Sequence, residues 1–107
     1  IKYAADRGAK VINCSWGSPQ RTQYGQEVVA YALRQRDALI VAAAGNDGRA
    51  TRFYPASLEG VMAISFVDST GRRAPTATFG PQIALCAPGG GISLTPPAGF
   101  NSRALGM

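Results

Sequence analysis

Histidine is absent from this 107-residue chain, which removes the commonest general base and the commonest metal ligand together. Cysteine is limited to Cys14 and Cys86. Their spacing fits no zinc pattern, and each sits in an apolar stretch where a small hydrophobe in a packed strand accounts for it as well as a disulfide does. No apolar run approaches the roughly 20 residues that a membrane helix needs, so no membrane span is expected. A dense basic run is also lacking. The 11 Lys and Arg against 6 Asp and Glu leave a net charge of +5, but Arg34 and Arg36, Arg49 and Arg52, and Arg72 and Arg73 are scattered pairs without interleaved aromatics. They read as solvated surface, and no nucleic-acid partner is expected. A dinucleotide-binding domain would need a Gly-x-Gly-x-x-Gly turn, which is missing, and Pro88-Gly89-Gly90-Gly91 is not followed by the Lys-Ser/Thr of a phosphate-cradling loop.

What the chain does have is a globular composition: 46% hydrophobic residues, with 13 glycines and 7 prolines falling between the apolar runs as connections would. Ile1, Ala4, Ala5 and Gly8 follow the spacing of one helix face, with Gly8 placed to close it in a left-handed cap. Val11 to Trp16 is nearly continuously apolar, which suits a strand buried on both faces, and Gly17-Ser18-Pro19 ends it. From Tyr24 to Arg36, Val28, Val29, Ala32 and Leu33 make one stripe of an amphipathic helix. Ala38 to Ala44 is a second buried strand, stopped by Gly45-Asn46-Asp47-Gly48. Val61 to Val67 reads as a third strand, Asp68 to Arg73 as a turn, and Ile83 to Ala87 as a short fourth strand. Strand, helix and strand in this order form a βαβ unit, so the expected fold is α/β, a parallel sheet with right-handed crossovers.

Ligands of open α/β sheets bind outside the carboxyl ends of the strands. Two segments qualify, Ser15-Trp16-Gly17 and Gly45-Asn46-Asp47-Gly48, and the topology brings them to one edge. Asn46 follows three alanines and a glycine, too small to cover it, and its amide offers two donors to a developing oxyanion. The same Asn-Asp-Gly run also suits a plain tight turn, and pattern alone leaves both readings open.

Val11-Ile12-Asn13-Cys14-Ser15-Trp16-Gly17 and Val41-Ala42-Ala43-Ala44-Gly45-Asn46 resemble two signature blocks of the subtilisin-like serine proteases. Tyr54-Pro55-Ala56, Val61-Met62-Ala63-Ile64 with Val67-Asp68, Ala77-Thr78-Phe79-Gly80 and Ala87-Pro88-Gly89 continue the match in register. The resemblance covers essentially residues 1–107 and implies the central part of a three-layer catalytic domain. It implies that Asn46 is the side-chain donor of the oxyanion hole in acyl transfer. Ser15, Trp16 and Gly17 would pair with a peptide or protein substrate as an added strand, and Ala43, Ala44 and Gly45 would wall the pocket for the residue before the scissile bond. Phe53 falls where the pocket floor would be, a large ring favouring small substrate side chains. Trp16 stands where relatives commonly carry Leu, and either narrows the neighbouring subsites or simply packs. Tyr54-Pro55 resembles a bond that is cis in the family, although trans is the expectation from the residues alone. In some relatives this loop holds a weak cation, and the resemblance allows a structural calcium in the whole protein, but no residue here defines a metal or cofactor site.

The triad that such chemistry needs is not in this chain: there is no His, and no serine, Ser93 and Ser102 included, stands in a Gly-Thr-Ser setting. Ile1 opens directly into an amphipathic segment and Arg103 to Met107 carries no cap, so both ends are expected to lie inside a longer protein whose remainder is the chain's first partner. By itself the piece is expected to be inactive and to expose apolar sheet. By resemblance the parent protein is a secreted or cell-surface endopeptidase. The alternative is a non-catalytic peptide-binding module or pseudoprotease segment that keeps the groove.

Overall fold

In the computed structural model, which describes residues 1–89, a short helix α1 (Lys2–Asp6) leads into strand β1 (Val11–Cys14). The helix α2 (Gln23–Arg36) follows, then β2 (Leu39–Ala43), β3 (Met62–Val67) and β4 (Ile83–Pro88). The strands form one parallel sheet in the order β1-β2-β3-β4, the α/β architecture expected. Ile12 lies beside Ile40, and Cys14 beside Ala42. Ala42 in turn lies beside Ala63. The Gly90-Gly91 end of the expected loop, Ser93, Ser102 and the stretch from Arg103 to Met107 lie outside the described residues.

Local chemistry accounts for the helix ends. Thr22 caps α2, its hydroxyl accepting from the Gly25 N–H at 3.0 Å, and Arg34 and Arg36 stand in the last turn, where positive charge meets the negative end of the helix dipole. The α1 helix ends at Gly8, whose φ of +86° is open to glycine at no steric cost. There the Gly8 N–H reaches the Ala5 carbonyl at 3.0 Å and the Ala9 N–H reaches that of Ala4 at 3.1 Å, a Schellman closure. An ion cluster joins the helices. Asp6 accepts from Lys2 at 2.5 Å, from the Tyr31 hydroxyl at 2.5 Å and from Arg36 at 3.0 Å. The Lys2 bond first, then that of Tyr31, lowers the Asp6 pKa from 3.8 to about 2.

Both helices cover the same side of the sheet. Ala5, Val29 and Ala32 close over Ile12, Cys14, Ile40, Ala42 and Ala63 in one core cluster, with Leu33 packed against its edge. On the other side Val11 is 63% exposed, Leu39 38% and Leu85 47%. The expectation that β1 is buried on both faces is therefore corrected: its burial alternates strictly along the strand, because the described residues supply two layers and leave the second face of the sheet without a cover. The expected packed environment of the cysteines is met at Cys14, which is buried, and not at Cys86, which is exposed on β4 at the sheet edge; both are free thiols. No helix among the described residues is long and apolar enough to cross a membrane.

Candidate functional site

Parallel pairing of β1 with β2 sends both carboxyl ends to one edge, where the polypeptide leaves β1 through Ser15, Trp16 and Gly17 and β2 through the small residues Ala44 and Gly45. β1 ends at Cys14, two residues short of the expected boundary, so Ser15, Trp16 and Gly17 are an exposed extension of the strand. Beyond β2, Ala44 is buried, with its N–H bonded to the Ile64 carbonyl at 2.9 Å. Ala43, Ala44, Gly45 and Asn46 share with Ser15 and Asn13 a hollow of about 210 Å³ at the carboxyl end of the sheet. Asn46 is exposed at its rim.

Phe53 is not among the residues lining that hollow. Its ring spans the space between the two strand ends instead. A Cβ built on Gly45 would lie 2.5 Å from Phe53 Cδ2, and one on Gly17 would lie 3.4 Å from Phe53 Cβ. Gly45 has a φ of +120°, so backbone conformation and the absence of room both require glycine there. Ser18 and Tyr54 form an antiparallel bridge through paired backbone bonds of 3.0 and 2.8 Å, which fixes the Phe53 segment against the end of β1. The Tyr54-Pro55 peptide is cis, against the trans form that the residues alone favoured and as the resemblance implied. Trp16 points elsewhere, 57% exposed on the wall of a larger, mainly apolar hollow of about 480 Å³ that it shares with Tyr24, Val28, Tyr54 and Leu58.

The Gly45 to Gly48 segment is more than an isolated turn. Its continuation is laced to residues 76–79, with the Gly48 N–H on the Thr76 carbonyl at 2.8 Å and the Phe79 N–H on the Arg49 carbonyl at 3.1 Å. Asp47 is exposed but well partnered. Its carboxyl is held below the usual carboxylate range first by the Thr51 hydroxyl, with the Arg49 N–H at 3.0 Å and the Thr78 hydroxyl at 2.8 Å adding to it. Asn13, Asp47 and Thr78 are site neighbours that stand in the segments singled out from sequence but receive no role there. A lone polar residue inside the Val11 to Cys14 strand was the available signal for Asn13, which donates to Ser15 Oγ at 2.9 Å. Thr78 lies 31 residues from Asp47, and only folding brings them together. No group of three or more Cys, Asp or Glu side chains among the described residues can hold a metal ion.

An open parallel sheet, helices over one face, small residues and an exposed carboxamide at its carboxyl edge, and a cis X-Pro bond beside them define the α/β class to which the subtilisin-like proteins belong. The model of the subtilase family matches residues 1–105, and the chain belongs to that family. It is 44% identical over 89 residues to a thermophilic serine proteinase of Bacillus sp. strain AK1, a match covering 83% of this chain and 22% of that protein. It is 37% identical over 97 residues to thermitase of Thermoactinomyces vulgaris, covering 91% of this chain and 34% of the relative. The chain therefore spans about a fifth to a third of these relatives' lengths. Among solved structures, the psychrophilic subtilisin-like protease Apa1 of Pseudoalteromonas sp. AS-11 superposes with a TM-score of 0.75 at 30% identity, covering 80% of this chain and 20% of that one.

Proposed function

We propose that this chain is the oxyanion-donor and substrate-groove portion of a serine endopeptidase that cleaves peptide bonds through an acyl-enzyme. The observation that carries the proposal is the exposed Asn46 amide at the carboxyl edge of the sheet, above residues too small to cover it. A carboxamide there donates to the oxygen that gains charge as the scissile carbonyl becomes tetrahedral, an interaction stronger in the transition state than in the ground state. Ser15, Trp16 and Gly17 extend β1 with unpaired backbone and receive the substrate as an added strand. Ala43, Ala44 and Gly45 wall the pocket for the residue before the scissile bond. The Phe53 ring, which lies behind Gly45 between the two strand ends and does not line that hollow, limits the pocket from that side and selects small side chains. The Trp16 indole borders the apolar hollow and offers it to a side chain further along the peptide.

Nucleophile and base come from an Asp, a His and a Ser supplied by the rest of the protein, since the 107 residues contain no histidine. The remainder of that domain is also what covers the open sheet face. The chain by itself is inactive, and the whole protein works outside the cell or at its surface.

The test joins this chain to its flanking sequence. The full-length protein should label with a fluorophosphonate serine probe and hydrolyse peptides, and Asn46→Ala should lower kcat by about 10² to 10³, the size known for losing this donor in subtilisin itself. A full-length protein that binds peptides without labelling would establish the binding-module reading. Labelling with an unchanged Asn46→Ala kcat would remove Asn46 from the mechanism.

A further inference from the structure

A donor loop is useful only if its amide is aimed before substrate arrives, because the donor must stand about 2.7 to 3.1 Å from where the charged oxygen will be. Asn46 is exposed, so its own packing cannot fix it and the fixing must come through its neighbours in the chain. We infer that Thr78 is the positioning residue of this loop, gripping the residue on each side of Asn46 from within the protein. The inference rests on the reading of Asn46 as oxyanion donor.

Thr78 is fully buried. Its N–H donates to the carbonyl of Gly45 at 3.2 Å, immediately before Asn46, and its hydroxyl donates to Asp47 Oδ1 at 2.8 Å, immediately after. The Thr78 carbonyl is itself held by the Ser65 hydroxyl at 2.6 Å, and Ser65 is a buried residue of β3. The loop is thus referred to the rigid sheet by a short series of bonds, β3 to Thr78 to both shoulders of Asn46. Thr78 Oγ1 would also be 2.8 Å from any Cβ on Gly45, so the hydroxyl bears directly on the backbone that turns into Asn46. Bonds from a neutral hydroxyl to a carboxylate are of the stronger, charge-assisted kind.

The experiment compares Thr78→Val, Thr78→Ser and Asp47→Ala in the full-length protein, alone and combined with Asn46→Ala, on a peptide substrate. Valine keeps the shape and removes the hydroxyl. Thr78→Val is expected to lower kcat by about tenfold to about a hundredfold, since misplacing a reacting group by an ångström costs about that much. KM should move by less than about twofold, because ground-state binding is not what the loop supplies. Thr78→Ser should restore most of the rate. In the Asn46→Ala background Thr78→Val should add less than about threefold, the two acting as one unit. Asp47→Ala removes the same bond from the exposed side, together with those from Thr51 and the Arg49 N–H; it should reproduce the kcat and KM split, and if Thr78→Val does not fold, a kcat loss in Asp47→Ala that Thr51→Val does not share decides the matter. An unchanged kcat in Thr78→Val and Asp47→Ala, or the same loss with and without Asn46, overturns the role of Thr78 while leaving Asn46 as donor. An unchanged kcat in Asn46→Ala alone overturns the donor reading and this inference with it.

Discussion

The two faces of the sheet are made of the same kinds of residue and have opposite fates. Ile12, Ile40 and Ala42 are sealed under the helices, while Val11 and Leu39, their neighbours in sequence and in register, lie open. Side-chain chemistry does not explain the difference; it depends on what lies over each face. A strand apolar at every position is written for a sheet covered twice, and residues 1–89 provide one cover. The helix-covered face holds the hydrophobic core of the described residues, and the other face stays open, with the strand ends at its carboxyl edge.

Substitutions should separate along that division. On the covered face Ile40→Ala, at a fully buried position, should cost about 2 to 5 kcal/mol of folding stability in denaturant titrations of the full-length protein. The kcat of the molecules that remain folded should not change. On the open face the triple change Val11→Ser, Leu39→Ser and Leu85→Ser should have opposite signs in two contexts. In sedimentation velocity the isolated chain should self-associate through its uncovered apolar surface, and the triple variant should do so less. In the full-length protein, where the proposed remainder of the domain covers this face, the same changes should lower stability. A monodisperse, cooperatively melting wild-type chain would erase the comparison. At the strand ends Phe53→Ala should shift kcat/KM toward bulky side chains before the scissile bond by about tenfold or more, the scale of a reshaped apolar pocket.

The smallest effect belongs to the ion cluster that ties the helices together. Asp6 has a folded-state pKa of about 2 against an ordinary 3.8, so its contribution is complete above about pH 4 and is lost as the pH falls toward about 2. The melting-temperature gap between wild type and Asp6→Asn should therefore narrow over that range. It should be slight throughout, since the partners are solvent-exposed and screened.

Much of this organisation was legible in the residues. The apolar runs at Val11 and Leu39, with a Val29 and Ala32 stripe between them, specify strand, helix and strand, and a crossover of that length makes the pair parallel. The meeting of the two strand ends follows from that topology alone. What could not be read is whatever depends on tertiary contact. β1 stops at Cys14 because pairing with β2 stops at Ala42, although the sequence stays strand-like to Trp16. The exposure of Cys86 follows from β4 being an outer strand of this sheet. The grip of Thr78 on Asp47 joins residues that no local pattern connects, and the Phe53 ring finds Gly45 only after the loop between them has turned back.

Gly45 is where that turn has its largest consequence. A Cβ at this position would lie 2.5 Å from the Phe53 ring and 2.8 Å from the Thr78 hydroxyl, so both side chains crowd the same place and no space is left for a methyl group. The roles proposed for Phe53 and Thr78 therefore meet at one residue, and selectivity and speed are expected to be geared to one another. A variant that accepts a new side chain by reshaping the ring's seat is then expected to lose turnover as well, and a compensating change at position 78 is expected to recover it.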